Sequence, residues 1–99
     1  MTKILRHNEI VTRAYFVVER MFDVTWRPED KLMLLKQTAP YVEEITKAEA
    51  GSFLRSRDET LTDFERTVAG RDMGILRAVA NLVDDFSQAG MLDGRQKVH

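Results

Sequence analysis

The residues able to do chemistry are few and scattered. Histidine occurs as His7 and His99, one towards each end of the sequence. A general base must be held at hydrogen-bond distance from the proton it takes, and such positions offer little to hold it. His7 therefore reads as a surface residue. The absence of cysteine excludes disulfides and thiolate metal sites, and it fits a reducing compartment. No His-x-x-x-His pair is present, and no glycine-rich loop follows a strand pattern. Asp84-Asp85 and Glu43-Glu44 could meet a cation. Adjacent helical residues project about 100° apart, however, so neither pair makes a chelating face. The expectation is a non-enzymatic chain with no cofactor, no metal and no evident small-molecule substrate.

Recognition chemistry is better represented. Arg6, Arg13 and Arg20 recur every seven residues. Seven residues fall only about 20° short of two helical turns, so on one long helix these side chains would align. Glu9 and Asp23 stand at helical spacing from Arg13 and Arg20, so a self-paired surface is the ordinary expectation. Phe16 is sharper. It falls between Arg13 and Arg20 on an otherwise polar arc, where aromatics and arginine together suit an interface anchor. Cover by a loop or neighbouring helix would instead make it core. Trp26, among charged neighbours, either plugs the end of a bundle or reaches a partner. Phe16, Arg13, Arg20 and Trp26 are the candidate partner-binding residues.

These side chains need helices to position them. Ile10, Val11, Ala14, Tyr15, Val17, Val18, Met21 and Phe22 share one arc, which predicts a first helix from an Asn8 cap to about Phe22. Thr25 can cap a second helix with Pro28 in its first turn, ending near Gln37. Pro40 restarts the chain, and Tyr41, Val42, Ile45 and Ala48 predict the inner stripe of a third helix that either stops at Gly51 or extends through Phe53 and Leu54. A Glu43–Lys47 pair is expected on its outer side. Residues 52–59 read as a loop. Capping boxes at Ser56-x-x-Glu59 and Thr62-x-x-Glu65 start a fourth helix that Gly70 ends.

Arg71–Gln88 carries the widest apolar arc. Met73, Ile75, Leu76, Val79, Ala80, Leu82, Val83 and Phe86 fill about half the circumference. Arg77, Asn81, Asp84, Asp85 and Gln88 form the wet strip. Asp72 and Ala89-Gly90 bound this fifth helix at about 72–89. Gly74 inside it costs about 1 kcal/mol against alanine, which predicts a close backbone contact there.

The chain of 99 residues, 43% hydrophobic and 31% charged, fits one globular domain. The expected architecture is all-α: a compact bundle of four or five helices around the C-terminal one. It comprises a helical domain over 1–92 and a basic tail over 93–99. The longest apolar run, Ala14–Val18, is far too short to cross a membrane. The charged N-terminal stretch does not read as a signal peptide, so a cytoplasmic, soluble protein is expected.

The sequence points to a small regulatory or interaction module that binds another protein or itself, as a dimer. A second possibility rests on residues 60–99. Two helical patterns around Gly70, then Ala89-Gly90-Met91-Leu92 and a basic tail, resemble the helix-turn-helix and winged-helix proteins. Ala69, Leu76 and Val79 fit that pattern. Glu65, Arg66 and Arg71 depart from it, standing where apolar or small residues belong. The resemblance implies a DNA-binding regulator with Arg55, Arg57, Arg95 and Lys97 as phosphate contacts. A net charge of −1 and an acidic strip at Asp84-Asp85 oppose it.

Overall fold

Four α-helices and one 3-10 turn build the described part of the chain, residues 6–92 of a computed structural model. The tail over 93–99, with Arg95, Lys97 and His99, lies outside the described residues. The class is all-α, as the periodicity predicts. The described residues hold four α-helices, because the expected fourth and fifth are one.

Helix α1 spans His7–Met21. Its cap is Arg6, two residues before the expected Asn8. Glu9 explains the shift: its Oε1 accepts the Arg6 backbone N–H at 2.8 Å and so satisfies a donor at the helix start. Ile10, Ala14 and Val17 are buried along one line. Phe22 lies past the last turn and stands 80% exposed, not on the inner arc.

Asp23 caps the connection by accepting both the N–H and the hydroxyl of Thr25. Helix α2, Pro28–Thr38, begins with Pro28 in its first turn, where a missing N–H costs nothing. Thr25 does not cap it; Arg27 holds that position. Leu34 and Leu35 are buried, whereas Met33 is 53% exposed, so this helix is less covered than its composition suggests. Ala39–Tyr41 form the 3-10 turn around Pro40, and α3 follows over Val42–Ser56. Gly51 lies within α3 and does not stop it. The helix buries Ile45, Ala48 and Ser52. No Glu43–Lys47 bridge forms among the described ion pairs.

Helix α4 runs unbroken over Asp63–Gln88, 26 residues and about 39 Å. Its start is the predicted Thr62 capping box: Thr62 Oγ1 accepts the Glu65 N–H at 3.1 Å, and Glu65 Oε1 accepts the Thr62 N–H at 2.9 Å. Gly70 and Asp72 are interior, so the helix–turn–helix cadence does not form here. Helix propagation adds one hydrogen bond per residue once nucleated. A single glycine, costing about 1 kcal/mol, does not stop it when packing continues on both sides. At Gly74 no neighbour comes within 4 Å of where a Cβ would sit, so the predicted close contact is absent.

The end of α4 is the expected one. Gly90 adopts φ +76°, a region glycine enters without steric cost. Met91 N–H then bonds Phe86 O, and Gly90 N–H bonds Ser87 O, each at 3.0 Å. This Schellman closure turns the chain back and seats Leu92 in the core at 9% exposure.

The core forms where α1, α2 and α3 meet α4. Ala69, Leu76 and Val83 repeat every seven residues along α4, with Val79 between, and all are buried. The α3–α4 seam is the largest contact in the fold, followed by α1–α4. Asp72 lies on this inner line and is satisfied by the Tyr15 hydroxyl, which donates to its Oδ1 at 2.9 Å. Burial, then the Asp72 carboxylate, raise the Tyr15 pKa above its usual 10.0. Among the described residues, no helix is long and apolar enough to cross a membrane.

Candidate functional site

The four candidate residues on α1 and the α1–α2 connection come together. Phe16 is 38% exposed, neither covered core nor an isolated spike. Trp26 packs edge-on against it, with ring centroids 6.3 Å apart and planes at 80°. This is the T-shaped arrangement aromatic quadrupoles prefer. The Arg20 guanidinium lies over both rings, 4.5 Å from the Phe16 centroid and 5.5 Å from Trp26. Arg13 stacks on a third ring, Tyr41, at 5.8 Å. Both arginines are within cation–π range of their rings.

Helix α1 produces this line by spacing alone. Phe16 follows Arg13 by three residues and precedes Arg20 by four, so the three form one stripe. The α1–α2 connection then folds back to place Trp26 beside it. The Trp26 N–H bonds Asp23 O at 3.1 Å, which fixes that return.

The expected self-pairing of the arginines does not occur. Glu9 is committed to the Arg6 backbone, and Asp23 to Thr25. The Thr25 hydroxyl and N–H hold Asp23 below its usual carboxylate pKa, while Arg20 contributes only at longer range. The one ion pair Arg20 makes among the described residues is to Glu19 Oε1 at 3.9 Å, too long for a hydrogen bond. Arg13 Nε is buried with no hydrogen-bond partner, a state that costs about 1–3 kcal/mol. Arg6 caps α1 in an extended conformation and so leaves the stripe.

Phe16 is a ridge between two hollows. One, about 560 Å³, is lined by Phe16, Trp26, Met33, Leu34, Asp30 and Gln37 among others. The other, about 460 Å³, is lined by Asn8, Glu9, Thr12, Arg13 and Phe16. Met33 and Tyr41 belong to this face, Tyr41 while also packing against the core as the third-helix stripe predicts. Met33 follows Leu32 and precedes Leu34 and Leu35, so a run apolar all round hides which member faces out.

The other candidates are dispersed. His7 is exposed, and its Nε2 lies 3.5 Å from Ser52 Oγ, beside a groove of about 690 Å³ bordered by Leu54, Phe64 and Val68. Asp84 accepts from Gln88 at 3.0 Å along the helix surface. No three His, Asp or Glu side chains cluster as a metal site among the described residues. Arg55 and Arg57 are exposed at the end of α3, with Arg57 over the Phe53 ring at 5.1 Å. Hydrogen bonds from Thr60 and Thr62 hold the Asp58 and Glu65 carboxyls below their usual values, and Arg55 adds a smaller pull on both, so that end of the molecule is mixed in sign.

No protein-family model, curated protein or solved structure matches this chain.

Proposed function

We propose that the chain is a non-enzymatic, regulatory helical module that binds a protein partner through the face carrying Phe16, Trp26, Arg13 and Arg20. One observation carries the reading. Arg20 is stacked on two aromatic rings at 4.5 and 5.5 Å while the carboxylate at helical spacing from it, Asp23, is committed to Thr25. Stacking preorganises a guanidinium whose N–H donors stay available. Aromatic and arginine side chains in such partly exposed clusters supply the dominant contacts of many interfaces. The hollows either side of Phe16 give a partner something to fill. A second copy of the chain is the alternative occupant. Among the described residues, nothing in the geometry favours a DNA-binding unit. Residues 63–88 form one helix without a turn, and Arg55 and Arg57 share their surroundings with carboxylates that oppose phosphate.

Phe16→Asp tests the reading. The variant is expected to keep the helical spectrum and a cooperative melt, because the ring is over a third exposed. It is expected to lose partner capture from extracts of the source cells, or self-association measured by sedimentation. Unchanged capture and mass in a folded variant would remove this face as the binding surface.

A further inference from the structure

We infer that this face takes an acidic, apolar-centred segment of a partner chain. That segment presents two carboxylates about 10 Å apart with an aliphatic or aromatic side chain between them. The inference rests on the binding role proposed above and adds the chemistry of the occupant.

The spacing comes from α1. Arg13 and Arg20 are seven residues apart on one stripe, which is about 10 Å along the axis. A facing helix matches this with carboxylates at i and i+7. An extended segment, whose same-face side chains repeat every second residue, offers only about 7 Å (i and i+2) or about 13 Å (i and i+4), so the helical match is the better one. Phe16 lies between the two arginines, so the partner's apolar side chain falls opposite it and enters the hollow beside Trp26 and Met33.

Charge decides the sign. Two guanidiniums are held on aromatic rings with their helical-spacing carboxylates diverted, to the Arg6 N–H and to Thr25. Planar guanidinium donors pair best with carboxylate oxygens, two to a fork. Arg13 Nε is buried without a partner. An incoming carboxylate draws its charge, and the unpaired donor makes reorientation towards that carboxylate favourable.

The face also limits what fits. Glu9 lines the Arg13 hollow, Asp30 lines the Trp26 hollow, and Glu19 neighbours Arg20. A long polyanion such as nucleic acid meets all three and is repelled. A short segment with carboxylates only at the two arginine positions meets Glu9 and Glu19 each beside a guanidinium, and stays clear of Asp30. Asp30 repels a carboxylate on the far wall of its hollow, and so confines the partner's acids to the α1 side.

Random peptides displayed on phage, selected against the full 99-residue chain, test this with Phe16→Ser as counter-target. Selected peptides are expected to carry two acidic residues at the helical i and i+7 spacing around an apolar residue. Arg20→Gln or Arg13→Gln is expected to weaken them about two- to fivefold each, in the range of partly exposed charge pairs. Glu→Lys peptides are expected to regain binding to Arg13→Glu, Arg20→Glu protein. Peptides that need Phe16 but carry no paired acids overturn the acidic occupant and leave the binding face standing. Peptides indifferent to Phe16, or no selection at all, overturn both. A dimer that Arg20→Glu dissociates puts a second copy on the face and overturns the partner-segment inference.

Discussion

Two arginines of α1, Arg13 and Arg20, and two of α4, Arg66 and Arg77, have opposite fates. On α4, Arg66 donates to Leu61 O at 2.6 Å and Asp58 O at 3.3 Å, and pairs with Asp63. It ties residues 57–62 to the first turn of the helix. Arg77 Nε donates to Glu49 Oε2 at 2.8 Å and pins α4 to α3. These guanidiniums are spent on the fold. On α1, Arg13 and Arg20 have carboxylates at similar spacing, yet those carboxylates serve a helix start and a turn. A cap is set by local backbone donors that otherwise go unsatisfied, so it outcompetes a solvent-exposed ion pair that contributes at most about 1 kcal/mol. The difference marks α3–α4 as the frame and α1 as the display surface.

Breaking the frame gives the largest effect. Val79 is fully buried on the α4 line. Val79→Asp places an unpaired charge in that core and is expected to cost about 4 kcal/mol or more, enough to abolish a cooperative melt. A near-wild-type denaturation curve would overturn the division into frame and display.

The comparison between the two arginine sets is sharpened by paired substitutions. Arg66→Ala is expected to lower stability by about 1–2 kcal/mol, because two buried-side carbonyls lose their donor. Arg20→Gln is expected to lower it by less, about 0.5–1 kcal/mol, since it loses the stacking on two rings but no hydrogen bond within the fold. Urea unfolding of both variants decides it. Equal losses would mean that Arg20 is structural as well.

The smallest effect is the share of the pH dependence that the frame's loop contributes. Backbone and then side-chain bonds from Thr62 hold the Glu65 carboxyl below its usual 4.5, and bonds from Thr60 hold Asp58 below 3.8. A depressed folded-state pKa stabilises fully above the unfolded value, and the contribution is lost as pH falls through the folded value. Stability is therefore expected to hold above pH 4.5 and to decline in acid below it. Glu65→Gln is expected to flatten the upper part of that decline in thermal melts taken across the acid range. An unchanged slope would show that the Thr62 box carries no charge-dependent stability.

Much of the frame was legible in the sequence because periodicity survives any rearrangement that keeps a helix helical. The arc on Arg71–Gln88 predicts Leu76, Val79 and Val83 as buried, and its wet strip of Arg77, Asn81, Asp84, Asp85 and Gln88 is exposed throughout. The Thr62 box and the Gly90 stop are local backbone chemistry, and both are in place. The candidate face was legible only as an anomaly, an aromatic among arginines. Its neighbours Met33 and Tyr41 come from other elements, and no spacing within α1 names them.

The sequence by itself determined the helices, their apolar lines and the stripe Arg13–Phe16–Arg20, because these follow from a fixed turn angle and local caps. Tertiary structure decided the rest. It merged two predicted helices through Gly70, since packing against α3 continues across the junction and outweighs one glycine. The merged helix in turn carries Phe64 outward. Phe64 lies twelve residues before Leu76, about 120° from the core line, and stands 75% exposed. Tertiary structure also brought Trp26 against Phe16 and committed Glu9 and Asp23 away from the arginines. Such choices depend on which partner reaches a group first in space, and that order is not written in the spacing of residues along the chain.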